Sequence, residues 1–166
     1  GKSSSAYKAS NQTNPLGVYG LSKLAGENGV KNAGGAYAIL RTSWVFSPHG
    51  KNFVKTLLAL SETRDELSIV NDQIGGPTSA ADIAAACITI GEQLSKDPKK
   101  SGIYHFSSAP ACSWADFAHE ILHKAQRNVT VTGIPTREYK TPAIRPLNSR
   151  LDCSKTYEKF GIDFPI

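Results

Sequence analysis

A tyrosine and a lysine four positions apart, Tyr19 and Lys23, are the residues of this 166-residue chain best placed for acid–base chemistry. On a helix that spacing sets both side chains on one face. A fixed ammonium beside a phenol favours the phenolate. Such a tyrosine can pass its proton to a carbonyl oxygen while hydride arrives at the carbon. The lysine can hydrogen-bond a ribose at the same time. The pattern is also common by chance, and a packed tyrosine beside a solvated lysine accounts for it too.

The element that must position this pair is the stretch GVYGLSKLAGENGVKN, residues 17–32. It predicts a helix over 18–30, with Leu21, Leu24 and Ala25 to bury and Glu27 spaced for an ion pair with Lys23. Residues 1–15 read as a loop, and the helix ends in the glycine-rich turn at 32–35. A strand over 36–40 follows. Arg41 lies just beyond it and opens RTSWVFSPHGKNFV. Thr42, Ser43 and Trp44 sit at that strand end, where open α/β sheets take ligands. Trp44 is either core or the wall of a ligand pocket, with Phe46 alternating with Val45. A helix begins at Asn52–Phe53, repeats apolar residues at Phe53, Val54, Leu57 and Leu58, and stops around 62–65.

A strand over 67–70 leads into NDQIGGPTSAADIAAA. Asn71, Asp72 and Gln73 are either plain turn residues or amide contacts to a ligand. Gly75, Gly76 and Pro77 make a tight turn. Thr78 or Ser79 caps the next helix, with Asp82 completing a box-like arrangement after Ser79. That helix, over 80–92, is apolar nearly all round, which predicts burial, Cys87 included. Lys96, Lys99 and Lys100 read as a solvated loop. A strand over 102–106 follows, then a helix over 113–125 capped by Ser113 with Asp116. Its predicted buried face is Trp114, Phe117, Ala118, Ile121 and Leu122. A short strand spans 129–134. The tail begins as loop, with Pro135, Pro142 and Pro146. Arg145, Asn148, Ser149 and Arg150 cluster there, either as a clamp for a diphosphate or as a basic surface loop. A short helix over 154–160 ends at Gly161.

Hydrophobic residues make up 40% of the chain and charged residues 20%, which suits one soluble domain with a core of its own. The formal charge of +5 permits an anionic ligand. There is no arginine-rich arm or zinc-finger spacing, which speaks against nucleic acid. Cys87, Cys112 and Cys153 form no CxxC. His49, His105, His119 and His123 form no HExxH, and His119 with His123 reads as helix surface. No run has transmembrane length and no signal peptide opens the sequence, so no membrane partner and a reducing, cytoplasmic setting are expected. The alternation of helices and short strands argues an α/β fold.

Five stretches carry a resemblance that spans nearly the whole chain in order: PLGVYGLSKLAGE, RTSWVFSPHGKNFVKT, NDQIGGPTSAADIA, GIYHFSS and TPAIRPLNSRLDCSK. Together they resemble the central and C-terminal part of the dTDP-4-dehydrorhamnose reductase family, which are extended short-chain reductases. The resemblance implies a partial Rossmann-like, doubly wound sheet lacking its first βαβ units, plus a small substrate-binding subdomain. Residues 1–70 would then be mainly the later part of the nucleotide-binding fold. Residues 71–166 would be mainly the substrate region, with return strands to the main sheet.

By the same resemblance Tyr19 matches the proton donor and Lys23 its partner at the nicotinamide ribose, with Thr42 and Ser43 near the cofactor. Trp44 matches an aromatic residue against the sugar. Asn71, Gln73, Gly75 and Pro77 match the substrate-nucleotide region, and Arg145 and Asn148 meet the sugar-nucleotide end. The implied cofactor is NADPH or NADH, and the implied substrate is a dTDP-sugar reduced at C4.

The departures are equally specific. No G-x-x-G-x-x-G turn occurs, and the Ser or Thr of the family's catalytic set falls before Gly1. Where the family has a Y-x-E-x-D pattern, this chain has Tyr7, Ala9 and Asn11, which puts any Mg2+ contact through that Glu in doubt. The chain alone is therefore expected to be inactive and to pair with a missing N-terminal half or a second copy of itself. The alternative is a non-catalytic sugar-nucleotide-binding or regulatory module, as in reductase-like regulatory subunits. An epimerase or dehydratase shares Tyr-x-x-x-Lys but fits the 71–83 and 145–152 stretches less well.

Overall fold

The computed structural model describes residues 3–141, 143 and 145–163. The expectations placed on Gly1 and Pro142 lie outside these. Helix α1 runs Val18–Asn32, and strand β1, Ala38–Arg41, follows it. A two-residue strand β2, Val45–Phe46, precedes helix α2, Phe53–Leu60. Strand β3 is Glu66–Val70, and β4, Ile74–Gly75, and β5, Thr78–Ser79, flank the glycine–proline turn. Helix α3, Ala80–Lys96, leads through a 3-10 turn to β6, Gly102–His105. Then come β7, Cys112–Ser113, helix α4, Trp114–Lys124, and β8, Thr130–Ile134. Helix α5, Ser154–Phe160, closes the described chain.

The architecture is α/β with mostly parallel pairing, a partial Rossmann-like arrangement with an associated subdomain. The strands pair two by two: β1 with β6, β2 with β5 and β3 with β8 in parallel, and β4 with β7 antiparallel. Parallel partners need long crossovers, and helices α2 and α3 supply the one between β1 and β6. Two cores result. Leu57 of α2, Leu67 of β3 and Ala118, Ile121 and Leu122 of α4 form one. Ile90 of α3, Tyr104 of β6 and Phe160 of α5 form the other.

Local signals placed most elements. Asn52 caps α2 through the Lys55 amide, and Ser113 with Asp116 closes a full capping box on α4. Gly161 ends α5 in the left-handed region at φ 66°, where a Cβ would be strained. Ser79 caps α3 by accepting from the Ala81 amide rather than in a box with Asp82.

Three expectations are corrected. Helix α3 is not buried all round: Ala86 and Ile90 face the core, while Ile88 is 64% exposed and Cys87 is exposed. A helix on one flank of a strand pair has one covered stripe, however apolar its other side. Helix α1 buries none of its residues, and Leu21 and Ala25 are exposed with Leu24 half-buried. Lys100 is not simply solvated, because its ammonium donates to Gln93 Oε1 at 2.6 Å and lies 5.4 Å from the Phe160 ring centroid.

The segment read as an N-terminal loop is tied down as well. Tyr7 forms a parallel bridge with Leu151 through two 2.8 Å bonds, one to the Arg150 carbonyl and one from the Asp152 amide. No helix among the described residues is long and apolar enough to cross a membrane.

Candidate active site

Helix α1, the end of β1, the start of the chain and the 145–151 loop enclose a cavity of about 1170 Å3. Lys23, Gly20, Leu24 and Glu27 are the α1 residues in its wall, the i, i+3, i+4, i+7 stripe of one helix face. Arg41 and His105 enter from the ends of the paired strands β1 and β6, which are in register at these two residues. Arg145, Asn148 and Arg150 come from the tail, and Tyr7 and Lys8 from the N-terminal segment.

The walls are basic. Lys8, Lys23, Arg41, Arg145 and Arg150 face a single acid, Glu27. That acid is already paired: Arg41 Nε donates to Glu27 Oε1 at 2.7 Å and Nη2 to Oε2 at 2.6 Å. The bond from Arg41 holds the Glu27 carboxyl below its ordinary range against the opposing effect of burial, with the charges of Arg41, Lys31 and His105 adding. The expected Glu27–Lys23 pair is therefore replaced by an interelement fork, the stronger geometry for a carboxylate.

His105 is 2% exposed, and burial holds its imidazole below the usual histidine range, with the Arg41 charge acting in the same direction. Its Nδ1 lies 3.0 Å from the Tyr7 carbonyl, which can only accept, so Nδ1 carries the hydrogen.

Of the residues expected to bind or react, the cavity brings together Lys23, Arg145 and Asn148. Tyr19 stands outside the wall, 77% exposed, with the Lys23 ammonium 5.5 Å from its ring centroid. Asn148 spends its amide hydrogens on the Ser3 and Ser5 carbonyls, at 2.8 and 2.7 Å, and accepts from Arg150 Nε at 2.9 Å. It thereby fixes the N-terminal segment against the tail.

The other candidates gather elsewhere. Trp44 packs its ring against Gly75 and stacks on Trp114. Ser43 Oγ donates to the Gly76 carbonyl at 3.0 Å, and Thr42 Oγ1 is buried without a partner. Pro77 is half-buried in the same turn. Gln73 is buried and donates to Thr136 Oγ1 at 3.1 Å, and the Asn71 amide bonds the Ile134 carbonyl at 3.0 Å. Ile74 links the two groups: its amide reaches the Leu147 carbonyl, and its carbonyl takes the Ser149 amide, both at 2.8 Å.

The pattern of Tyr19 and Lys23 could not announce Tyr7, Glu27 and His105 as cavity residues. Their roles depend on pairing between segments remote in sequence. His119 and His123 lie exposed on α4. No group of three or more His, Cys, Asp or Glu suited to a metal ion occurs among the described residues.

Residues 1–165 match the family model described as the RmlD substrate binding domain. The chain belongs to that family. Two relatives of the RmlD family are dTDP-4-dehydrorhamnose reductases from Sinorhizobium fredii and Aggregatibacter actinomycetemcomitans. The first is 46% identical over 96% of this chain and 56% of its own length, the second 44% over 98% and 58%. Among solved structures, the dTDP-4-dehydrorhamnose reductase of Clostridium acetobutylicum superposes with a TM-score of 0.85 at 37% identity, covering 93% of this chain and 53% of that one. The Bacillus anthracis reductase, solved in complex with NADP, gives 0.81 at 34% identity, covering 95% and 59%. This RmlD-family chain thus spans a little over half the length of the relatives it matches. A Bacillus cereus UDP-glucuronic acid 4-epimerase shares the fold at 19% identity and a TM-score of 0.77.

Proposed function

We propose that this chain is the substrate-holding part of a dTDP-4-dehydrorhamnose reductase, which converts dTDP-4-dehydro-L-rhamnose to dTDP-L-rhamnose. The observation that carries the proposal is the basic cavity walled by Lys23, Arg145 and Arg150 beside Tyr19. Its volume of about 1170 Å3 holds a nucleotide sugar, and its surplus cations match a diphosphate. Family membership supports the same substrate class.

Arg145 and Arg150 hold the diphosphate, while Trp44, Asn71, Gln73, Gly75 and Pro77 stand outside this cavity and support its Ile74–Leu147 wall. Tyr19 gives its phenolic proton to the C4 oxygen, and the Lys23 charge stabilises the phenolate left behind. In this reading residues 1–70 are mainly the later part of the nucleotide-binding fold and 71–166 mainly the substrate region, with strands such as β6 returning to pair with β1.

The cofactor is NADPH or NADH, as the NADP complex of the B. anthracis relative suggests. The residues present fit its nicotinamide end only. Lys23 has an ammonium free of any carboxylate among the described residues for a ribose hydroxyl, with Thr42 and Ser43 nearby in sequence, but the chain has no glycine-rich turn for a pyrophosphate. When bound, the nicotinamide supplies the hydride. Further partners are the dTDP-sugar and the remaining half of the protein or a second copy of this chain. By the resemblance to the family's Y-x-E-x-D pattern, Ala9 takes the place of the Glu through which a Mg2+ contact would run.

Calorimetric titration of the 1–166 chain with dTDP and with NADPH tests this division. Binding of dTDP without NADPH is expected, with no reductase turnover. Binding of neither ligand, or robust NADPH-dependent turnover by 1–166, contradicts it.

A further inference from the structure

Building on the reductase assignment, we propose that Arg41 is a positioning residue: by occupying both oxygens of Glu27 it keeps that carboxylate off Lys23, leaving the ammonium uncompensated beside Tyr19. Lys23 and Glu27 are four residues apart on α1, a spacing at which helix ammonium and carboxylate meet. Both line the same cavity, as does Arg41. Yet the carboxylate is turned to β1, held by two bonds of 2.7 and 2.6 Å to a guanidinium that is itself only 21% exposed. Lys23 instead lies 5.5 Å from the Tyr19 ring centroid. Among the described residues it has no ion-pair partner.

The charges around this arrangement come from three elements. Lys31 lies on α1 one turn beyond Glu27, Arg41 on β1, and His105 on β6. Lys31 is outside the cavity wall, whereas Lys23 lines it together with Glu27 and Arg41. Without Arg41, Glu27 is a half-buried anion whose cavity-side partner is Lys23. Pairing there draws the ammonium away from its place over the Tyr19 ring.

A mere tether and a charge-sequestering arginine predict opposite behaviour for the double variant. In the full-length protein that carries this chain, Arg41→Met is expected to lower kcat about tenfold with little change in KM. Arg41→Met/Glu27→Gln, which has no carboxylate to release onto Lys23, recovers to within about threefold of wild type. A double variant as poor as Arg41→Met, or an unchanged Arg41→Met, overturns the proposal. If Arg41→Met does not fold, a folded double variant with a tenfold deficit does so instead.

A second readout is independent of turnover. The ring-current shift of the Lys23 ε-methylene protons, read by NMR on lysine-labelled protein, is lost in Arg41→Met and returns in the double variant. A wild-type protein without reductase activity would overturn the reductase assignment, and this shift still decides the role of Arg41. A shift unchanged in Arg41→Met counts against it.

Discussion

Trp44 lies face to face with Trp114, ring centroids 3.6 Å apart and planes 10° from parallel. Phe53 and Phe117 close around the pair, with Phe53 at 4.6 Å from Trp114. Trp44 sits at φ 47°, a region L residues seldom occupy, so the stack holds a backbone that would otherwise relax. This joins the β1 end to α4 and leaves Gly75 as the floor beneath the indole.

Gly75→Ala is therefore expected to destabilise the protein by about 1–3 kcal/mol, because overpacking forces a neighbour to move. An added Cβ would stand 2.5 Å from Trp44 Cε2, and the indole is already fixed by Trp114. Urea unfolding with tryptophan fluorescence reads both the loss and the disturbed stack. An unchanged midpoint and spectrum would show that Trp44 is free to shift.

Asn148→Ala should release the N-terminal segment. It removes both bonds to the Ser3 and Ser5 carbonyls and the acceptor for Arg150 Nε. The expected cost is about 1–3 kcal/mol, with faster amide exchange at Tyr7 and Asp152. Exchange confined to residues beyond this bridge would contradict the role given to Asn148.

His105 makes stability fall on mild acidification. Burial, with the Arg41 charge, places its folded pKa below the unfolded value of about 6.5, although the Tyr7 and Asp152 carbonyls oppose the shift. The unfolded chain thus takes up a proton that the folded one refuses. Stability is full above that value and declines as pH drops from it toward the folded pKa. Urea unfolding between pH 7.5 and 5.5 should show this slope, at roughly the range where an unfolded histidine titrates. His105→Gln should flatten it, and an equal slope in both proteins would place the titration elsewhere.

Asp116 acts at lower pH and in the same sense, because its folded pKa is also lowered. Bonds from the Ser113 hydroxyl and amide hold its carboxyl below the ordinary aspartate range, against a smaller effect of burial. Its contribution is present above the unfolded pKa and is lost as pH falls through the folded one. Ser113→Ala removes the cap and should cost about 1 kcal/mol at neutral pH. Its acid unfolding curve should be correspondingly less steep than that of wild type, and a wild-type curve would show that the box contributes nothing.

What could be read in the chain beforehand was what is local. Caps such as Ser79 and Ser113 and the stop at Gly161 mark helix ends by signals within three residues. The Tyr19–Lys23 spacing was legible for the same reason. What could not be read depends on pairing at long range. Glu27 has a helix partner available at Lys23, and only the fold brings Arg41 closer. Cys87 and Ile88 look like core because α3 is apolar, but its neighbours cover one stripe. Tyr7 and Leu151 meet across the whole chain, and nothing in YKASN signals it.

The account stands most directly on the phenol of Tyr19. The measurement is steady-state oxidation of NADPH by the full-length protein with dTDP-4-dehydro-L-rhamnose, comparing wild type with Tyr19→Phe. The phenol is 77% exposed and packs into neither core cluster, so its removal is expected to leave the fold intact. The expected result is a wild type that turns over and a variant whose kcat falls by about 10²-fold or more, the scale of a lost general acid. A Tyr19→Phe protein that retains wild-type kcat would contradict the assignment of proton delivery to this residue.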